Sequence, residues 1–185
     1  MRFLYHGFRG WLNAPSRSKI VGKPALLPFK THVFKTRAGI FDVDINMHLN
    51  NASLILACEF SRWNFIAGTD LLGAAIKNRW AFMVGSQAVR YRFEIGAFEK
   101  FEVHTDIIAC DESWLWVRHV VNSKGRKSAH CLTRVIIKSG RDTVPPSKVL
   151  ELCGVDSSTI PKPADSAEVA GFLAWDADVA QQMKK

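Results

Sequence analysis

The stretch Asp42-Val43-Asp44-Ile45-Asn46-Met47-His48-Leu49-Asn50-Asn51 places two carboxylates, an imidazole and three amides within ten residues. Side chains of these types move protons, and a base within hydrogen-bond reach of a water makes that water a nucleophile. The segment that follows, residues 52–67 (ASLILACEFSRWNFIA), is apolar nearly all round, broken only by Ser53, Glu59, Ser61, Arg62 and Asn64. That pattern predicts a helix surrounded by the rest of the molecule. The polar cluster therefore stands at a helix N-terminus, where unpaired N–H groups and the helix dipole favour negative charge. Such density is hard to explain as solvation alone and points to a site centred on a carboxylate. Each member also has a structural role open to it. Asp42 suits a turn, Asn50 or Asn51 suits a helix cap, and Glu59 with Arg62 suits an i,i+3 ion pair. His104, His119 and His130 stand singly in strand-like segments and read as structural.

The elements that must hold this loop follow from the pattern around it. Residues 31–40 (THVFKTRAGI) read as a first strand, Gly68 closes the long helix, and residues 70–79 form a second short helical piece. Four further strands are expected at 81–93, 98–110, 113–122 and 128–138. In the second of these, Val103, Thr105, Ile107 and Ala109 share one face and Glu102, His104 and Asp106 the other, a period of two. Gly96, then Asp111-Glu112, then Ser123-Lys124-Gly125 supply the turns. The order β-α-β-β-β-β predicts an α+β domain, a curled antiparallel sheet wrapped round its helix and burying it on all sides. Residues 139–164 are punctuated by prolines and carry a short helix at 147–152, and residues 166–182 form a terminal helix with Ser166 as its N-cap.

A chain of 185 residues is enough for one domain with a real core. Its formal charge of +8 is unevenly placed: residues 1–41 hold eight basic residues and no acid, and the remainder holds 17 of each sign. No basic stripe interleaved with stacking aromatics crosses the body, which excludes specific nucleic-acid binding as an expectation. The division is a basic arm at 1–30, a domain at 31–153 and an extension with a helix at 154–185. In the arm, Phe3, Leu4, Phe8, Trp11 and Leu12 recur at helical spacing between Arg2 and Arg9. An acid-free amphipathic start resembles a mitochondrial transit peptide more than a secretory signal; if retained, it would bury its aromatics on a partner subunit or a membrane surface. Cys58, Cys110, Cys131 and Cys153 are far apart, with no CxxC pair and no histidine at ligand spacing, so neither a metal site nor a disulfide framework is expected. No apolar run approaches the length of a spanning helix.

The loop, read as Asp42, Asp44, Asn46, His48, Asn50 and Asn51 with Glu59 and Arg62 on the helix beyond, resembles the hallmark of the hotdog-fold acyl-CoA thioesterases of the 4-hydroxybenzoyl-CoA thioesterase-like group. It is also similar to a stretch of the acyl-ACP thioesterases. The likeness continues through VRYRF (89–93), FEKFEVHT (98–105) and DESWLWVRHVV (111–121), and covers residues 31–153. What it implies is a hotdog fold and hydrolysis of an acyl-CoA or acyl-ACP thioester without a cofactor. Asp44 would be the general base or nucleophile, His48 would orient the water or bind the thioester, and amides near Asn50 and Asn51 would polarise the carbonyl. Glu59 matches an acid that does the chemistry in some relatives. Pockets built between the two copies of a homodimer are the habit of the fold. The sequence departs from the pattern at Leu54, where the group usually carries Tyr. A second expectation, drawn from the arm and the terminal helix, is a non-catalytic hotdog subunit in a large mitochondrial assembly such as a respiratory complex or ribosome.

Overall fold

A computed structural model describes residues 31–69, 71–152 and 155–183. The expectations for the arm at 1–30, with the targeting and partner contacts that rest on it, lie outside the described residues, as does Cys153. Five long strands form one antiparallel sheet: β1 (His32–Arg37), β2 (Trp80–Tyr91), β3 (Lys100–Cys110), β4 (Trp114–Ser123) and β5 (Arg126–Ser139). Their spatial order is β1-β3-β4-β5-β2, and a two-residue β6 (Asp142–Thr143) adds to β5. The helices are α1 (Asn51–Gly68), α2 (Leu71–Asn78), α3 (Pro146–Glu151) and α4 (Ala167–Gln182). This is the α+β architecture the alternation and turns implied.

The helix α1 starts where Asn50 stops it from starting sooner: in extended backbone, its side-chain oxygen accepts the Ser53 N–H. Leu54, Ala57 and Phe60 then pack on Phe34, Val103, Val121 and Cys131 of the sheet, and Phe65 and Ile66 join Leu71, Ile107, Val117 and Ile137 further along. Each fully buried Leu or Phe contributes about 1.5–3 kcal/mol. The opposite face of the sheet is covered by α4, whose Val169 and Phe172 meet Ala109, Trp116 and Leu132. Ser166 caps α4 by accepting the Val169 N–H, as its position suggested.

Three details differ from the pattern reading. First, α1 is enclosed all round only in its second half, where Phe60, Ser61, Arg62, Asn64, Phe65, Ile66 and Ala67 are buried; Asn51 and Ala52 are exposed and Leu56, Glu59 and Trp63 half-buried. Second, Ala109 does not share a face with Val103 and Ile107. A bulge between Ile107 and Ala109 turns Ala109 toward α4, while Ile107 stays on the α1 side. Third, Phe98 is a turn residue at φ 62°, and the strand starts at Lys100. Hydrogen bonds from Phe98 N–H to Ala38 O and from Ala97 N–H to Met47 O hold it there, overriding its strand preference.

Candidate functional site

The loop 42–50 is a small hairpin with its own hydrogen bonds. Val43 bridges Leu49, the Asp44 N–H donates to His48 O at 2.8 Å, and the Met47 N–H donates to Asp44 O at 3.0 Å. Met47 pays for the tightness with a φ of 61°, in the left-handed region that side chains other than Gly and Asn seldom enter. The hairpin is tied to the rest of the fold at two places. The backbone and side-chain N–H groups of Asn50 both donate to Asp42 O at 2.9 Å, and Leu49 N–H donates to Ile95 O at 2.7 Å. The connection between β2 and β3 is thus its floor, and α1 continues directly from its far end.

Within that frame the predicted residues divide by role. Asp42 is the turn residue, its Oδ2 accepting the Gly39 N–H at 2.9 Å. Asp44 Oδ1 accepts two amides, from Asn46 at 2.8 Å and His48 at 3.3 Å. Those bonds fix the carboxylate and leave Oδ2 directed to no donor among the described residues. The His48 imidazole is exposed across the hairpin from Asp44 and has no partner among them either. Asn50 caps α1 and Asn51 opens it, and with Ser53 and Leu54 N–H both satisfied by Asn50, the amides of Asn51 and Ala52 remain free among the described residues. Asp44, His48 and the α1 N-terminus are therefore gathered by one hairpin. Glu59 is not part of that group: two turns along α1, its carboxylate pairs with Arg62 and accepts the Trp63 indole N–H at 2.8 Å. Burial depresses the Arg62 guanidinium, the Cys131 and Cys58 thiols beneath it working the other way. Leu54, standing where the resemblance expects Tyr, is a core residue packed with Phe34 and Phe101.

His104, His119 and His130, expected to be structural, each have a partner within the fold. His119 is buried, its Nδ1 2.9 Å from Thr105 Oγ1 in a chain that continues to Ser61 Oγ at 2.6 Å. Burial, then the Arg62 charge, lowers its pKa to about 3. His104 meets Glu102 at 3.1 Å and His130 pairs with Glu168 of α4. The described cysteines, 58, 110 and 131, are buried free thiols.

A cavity of about 200 Å³, which no motif or spacing marks, opens beside the hairpin. Its floor is Leu49, Leu56, Phe60 and Phe101, and Arg37, Asp42 and Ser53 stand at its rim. These residues come from β1, the loop, α1 and β3, and no local pattern joins them. Asp44 and His48 are outside it, on the open surface of the single chain.

Residues 39–160, which hold the hairpin, α1 and the strands around them, match the family described as the thioesterase-like superfamily. A protein of Saccharomyces cerevisiae named as a probable thioesterase is 28% identical over 130 residues, 69% of this chain and 56% of that protein. Among solved structures, a probable thioesterase from Escherichia coli, YbaW, superposes with a TM-score of 0.62 at 14% identity, over 70% of this chain and 99% of that one. A Staphylococcus aureus protein solved in complex with CoA does so with a TM-score of 0.63 at 12% identity, over 72% and 88%. The chain spans about half the length of the curated relatives it matches. With a family match across two thirds of its residues and the antiparallel sheet, central helix and acidic loop in their expected places, the chain belongs to the thioesterase-like superfamily of hotdog proteins.

Proposed function

We propose that the chain hydrolyses acyl-CoA or acyl-ACP thioesters with Asp44 as general base. The observation that carries this reading is the asymmetry of the Asp44 carboxylate: Oδ1 is pinned by two amides of the hairpin that leads into α1, while Oδ2 meets no donor among the described residues. Water held at Oδ2 gives it a proton and attacks the thioester carbonyl. The resulting oxyanion is met by the free amides of Asn51 and Ala52 at the positive end of α1. The oxyanion collapses, the carbon–sulfur bond breaks, and the departing thiolate takes the proton that Asp44 received, which restores the carboxylate. His48, across the hairpin, is the group placed to orient the water or the thioester. Glu59, already bound by Arg62 and Trp63, shapes the half-buried face of α1 rather than moving protons. The homodimer fits the same reading, since Asp44 and His48 are open to solvent in one chain and a second copy is what would wall them.

The test is hydrolysis of a panel of acyl-CoA and acyl-ACP thioesters by the parent and by Asp44→Asn, with circular dichroism as the control for folding. The variant should retain its fold and lose about 10²-fold or more in rate. Equal rates above background for the two proteins remove Asp44 as the base. A parent inactive on both panels removes the enzyme reading and leaves the non-catalytic hotdog subunit.

A further inference from the structure

A groove of about 870 Å³ opens where the end of β1, the start of β3 and the turn between β4 and β5 meet. Arg37 and Lys100 are directly opposed there across the β1–β3 pair, and Lys124 stands in the turn that closes the groove. Lys124 is engaged by Glu99 at 2.6 Å, and Lys35, further along β1, by Glu102 at 3.1 Å. Arg37 and Lys100 have no acidic partner among the described residues, and residues 1–30 contain no acid that could supply one. Like charges directly opposite on a strand pair repel, and an anion shared between them removes that cost. Thr36 and Asn122 add a hydroxyl and an amide to the same lining. Cations also stand at the far end of the strands, at Lys77, Arg79, Lys138 and Arg141. What distinguishes this place is therefore convergence in one concave site, with two cations unpaired, and not the charge of one end of the molecule.

The groove shares a wall with the cavity beside the hairpin. Thr36, Arg37 and Phe101 line both, and the cavity is completed by Leu49 and by Ser53, Leu56 and Phe60 of α1. Ser53 directly follows the free amides of Asn51 and Ala52. A ligand held by its anionic end in the groove thus has a continuous path over Thr36 and Phe101 to the start of α1. Coenzyme A has the matching layout: phosphates at one end, a slender pantetheine arm, and the thioester at the other.

We propose that the groove seats the phosphates of coenzyme A, clamped by Arg37 and Lys100, with the pantetheine arm crossing into the cavity beside the hairpin. The Arg37 guanidinium suits phosphate oxygens through paired N–H groups, and the Lys100 ammonium through its point charge. This inference rests on the acyl-thioester reading of the hairpin and selects the coenzyme A ester over the carrier-protein ester. The nucleotide end of coenzyme A brings a pyrophosphate and a 3′-phosphate to the two unpaired cations, whereas a carrier protein brings a single phosphodiester.

The experiment is isothermal titration calorimetry of the full chain with coenzyme A, dephospho-coenzyme A and pantetheine, with steady-state hydrolysis of an acyl-CoA measured in parallel. Coenzyme A should bind more tightly than dephospho-coenzyme A and far more tightly than pantetheine, and salt should weaken it. Arg37→Ala/Lys100→Ala should weaken coenzyme A binding at least about tenfold and raise KM for the acyl-CoA more than it lowers kcat. Both side chains are exposed, so circular dichroism should not change. Lys77→Ala/Arg141→Ala, which removes cations outside the groove, should bind like the parent. A parent that does not bind coenzyme A overturns the proposal, as does an Arg37→Ala/Lys100→Ala protein that binds it like the parent. Equal weakening by Lys77→Ala/Arg141→Ala would make the attraction diffuse and overturn it too. Binding is read without turnover, so the two readings fail separately: a chain that binds coenzyme A through Arg37 and Lys100 but hydrolyses nothing keeps the groove and loses Asp44 as base.

Discussion

The two oxygens of Asp44 are in different situations, one holding the loop and one left over, and a carboxylate used this way is both brace and reagent. His119 shows the opposite case, an ionisable group that the fold keeps neutral. It is buried against Thr105, near the Arg62 cation, with a pKa of about 3 against 6.5 in an unstructured chain. The unfolded chain therefore binds a proton that the folded one refuses, so the stability His119 contributes is intact above pH 6.5 and lost progressively as pH falls toward 3. The upper bound of that loss is about 5 kcal/mol. Thermal melts from pH 7 to 4 should show a shallower acid slope for His119→Gln than for the parent, and identical slopes would show that His119 does not drive it.

At the scale of elements, α1 is enclosed unevenly along its length, and truncations along it should differ accordingly. Phe60 is a core residue, so Phe60→Ala should cost about 3–5 kcal/mol, a fall in melting temperature of roughly 10 °C for a domain of this size. Leu56, half-buried at the cavity floor, should cost clearly less when cut to Ala. Equal losses would mean that Leu56 is as fully enclosed as Phe60. In β2 the bulge between Val84 and Ser86 is set by Gly85, where a Cβ would come within 2.6 Å of the Trp114 ring. That ring lies under Arg134, 3.9 Å from its centre, and Arg134 in turn pairs with Asp176 of α4. Gly85→Ala should therefore destabilise by about 1–3 kcal/mol, and Trp114→Leu in the same chain should recover part of it, a coupling a double-mutant cycle measures.

At the scale of the molecule, β2 is the conspicuous unfinished edge. It runs for 12 residues, pairs among the described residues only with β5, and exposes Met83, Val84 and Tyr91. A long edge whose one charged residue is Arg90, near its end, is a template for pairing with another strand. Antiparallel pairing of two β2 edges would give a symmetric dimer with one continuous sheet. Analytical ultracentrifugation should find a dimer, and Met83→Lys/Val84→Lys should shift it toward monomer and lower any thioesterase rate in proportion. A monomeric parent with full activity would show that one copy suffices for the site.

Much of this arrangement is written locally. Alternating residues along 100–107, the Gly96 and Lys124-Gly125 turns, the Asn50 and Ser166 caps and the acid-rich loop are each decided by neighbours a few positions apart, so sequence alone determined the strands, α1, α4 and the loop that carries the candidate residues. What tertiary structure decided depends on groups far apart in the chain. The bulge that turns Ala109 outward is a matter of register against β4, and the left-handed Phe98 is fixed by bonds to residues 38 and 47. The division of Asp44 into a braced oxygen and one that meets no described donor, and the engagement of Glu59 by Arg62 and Trp63, belong to the same class. Periodicity reports which face of an element is apolar; it carries no record of which distant side chain arrives to meet it.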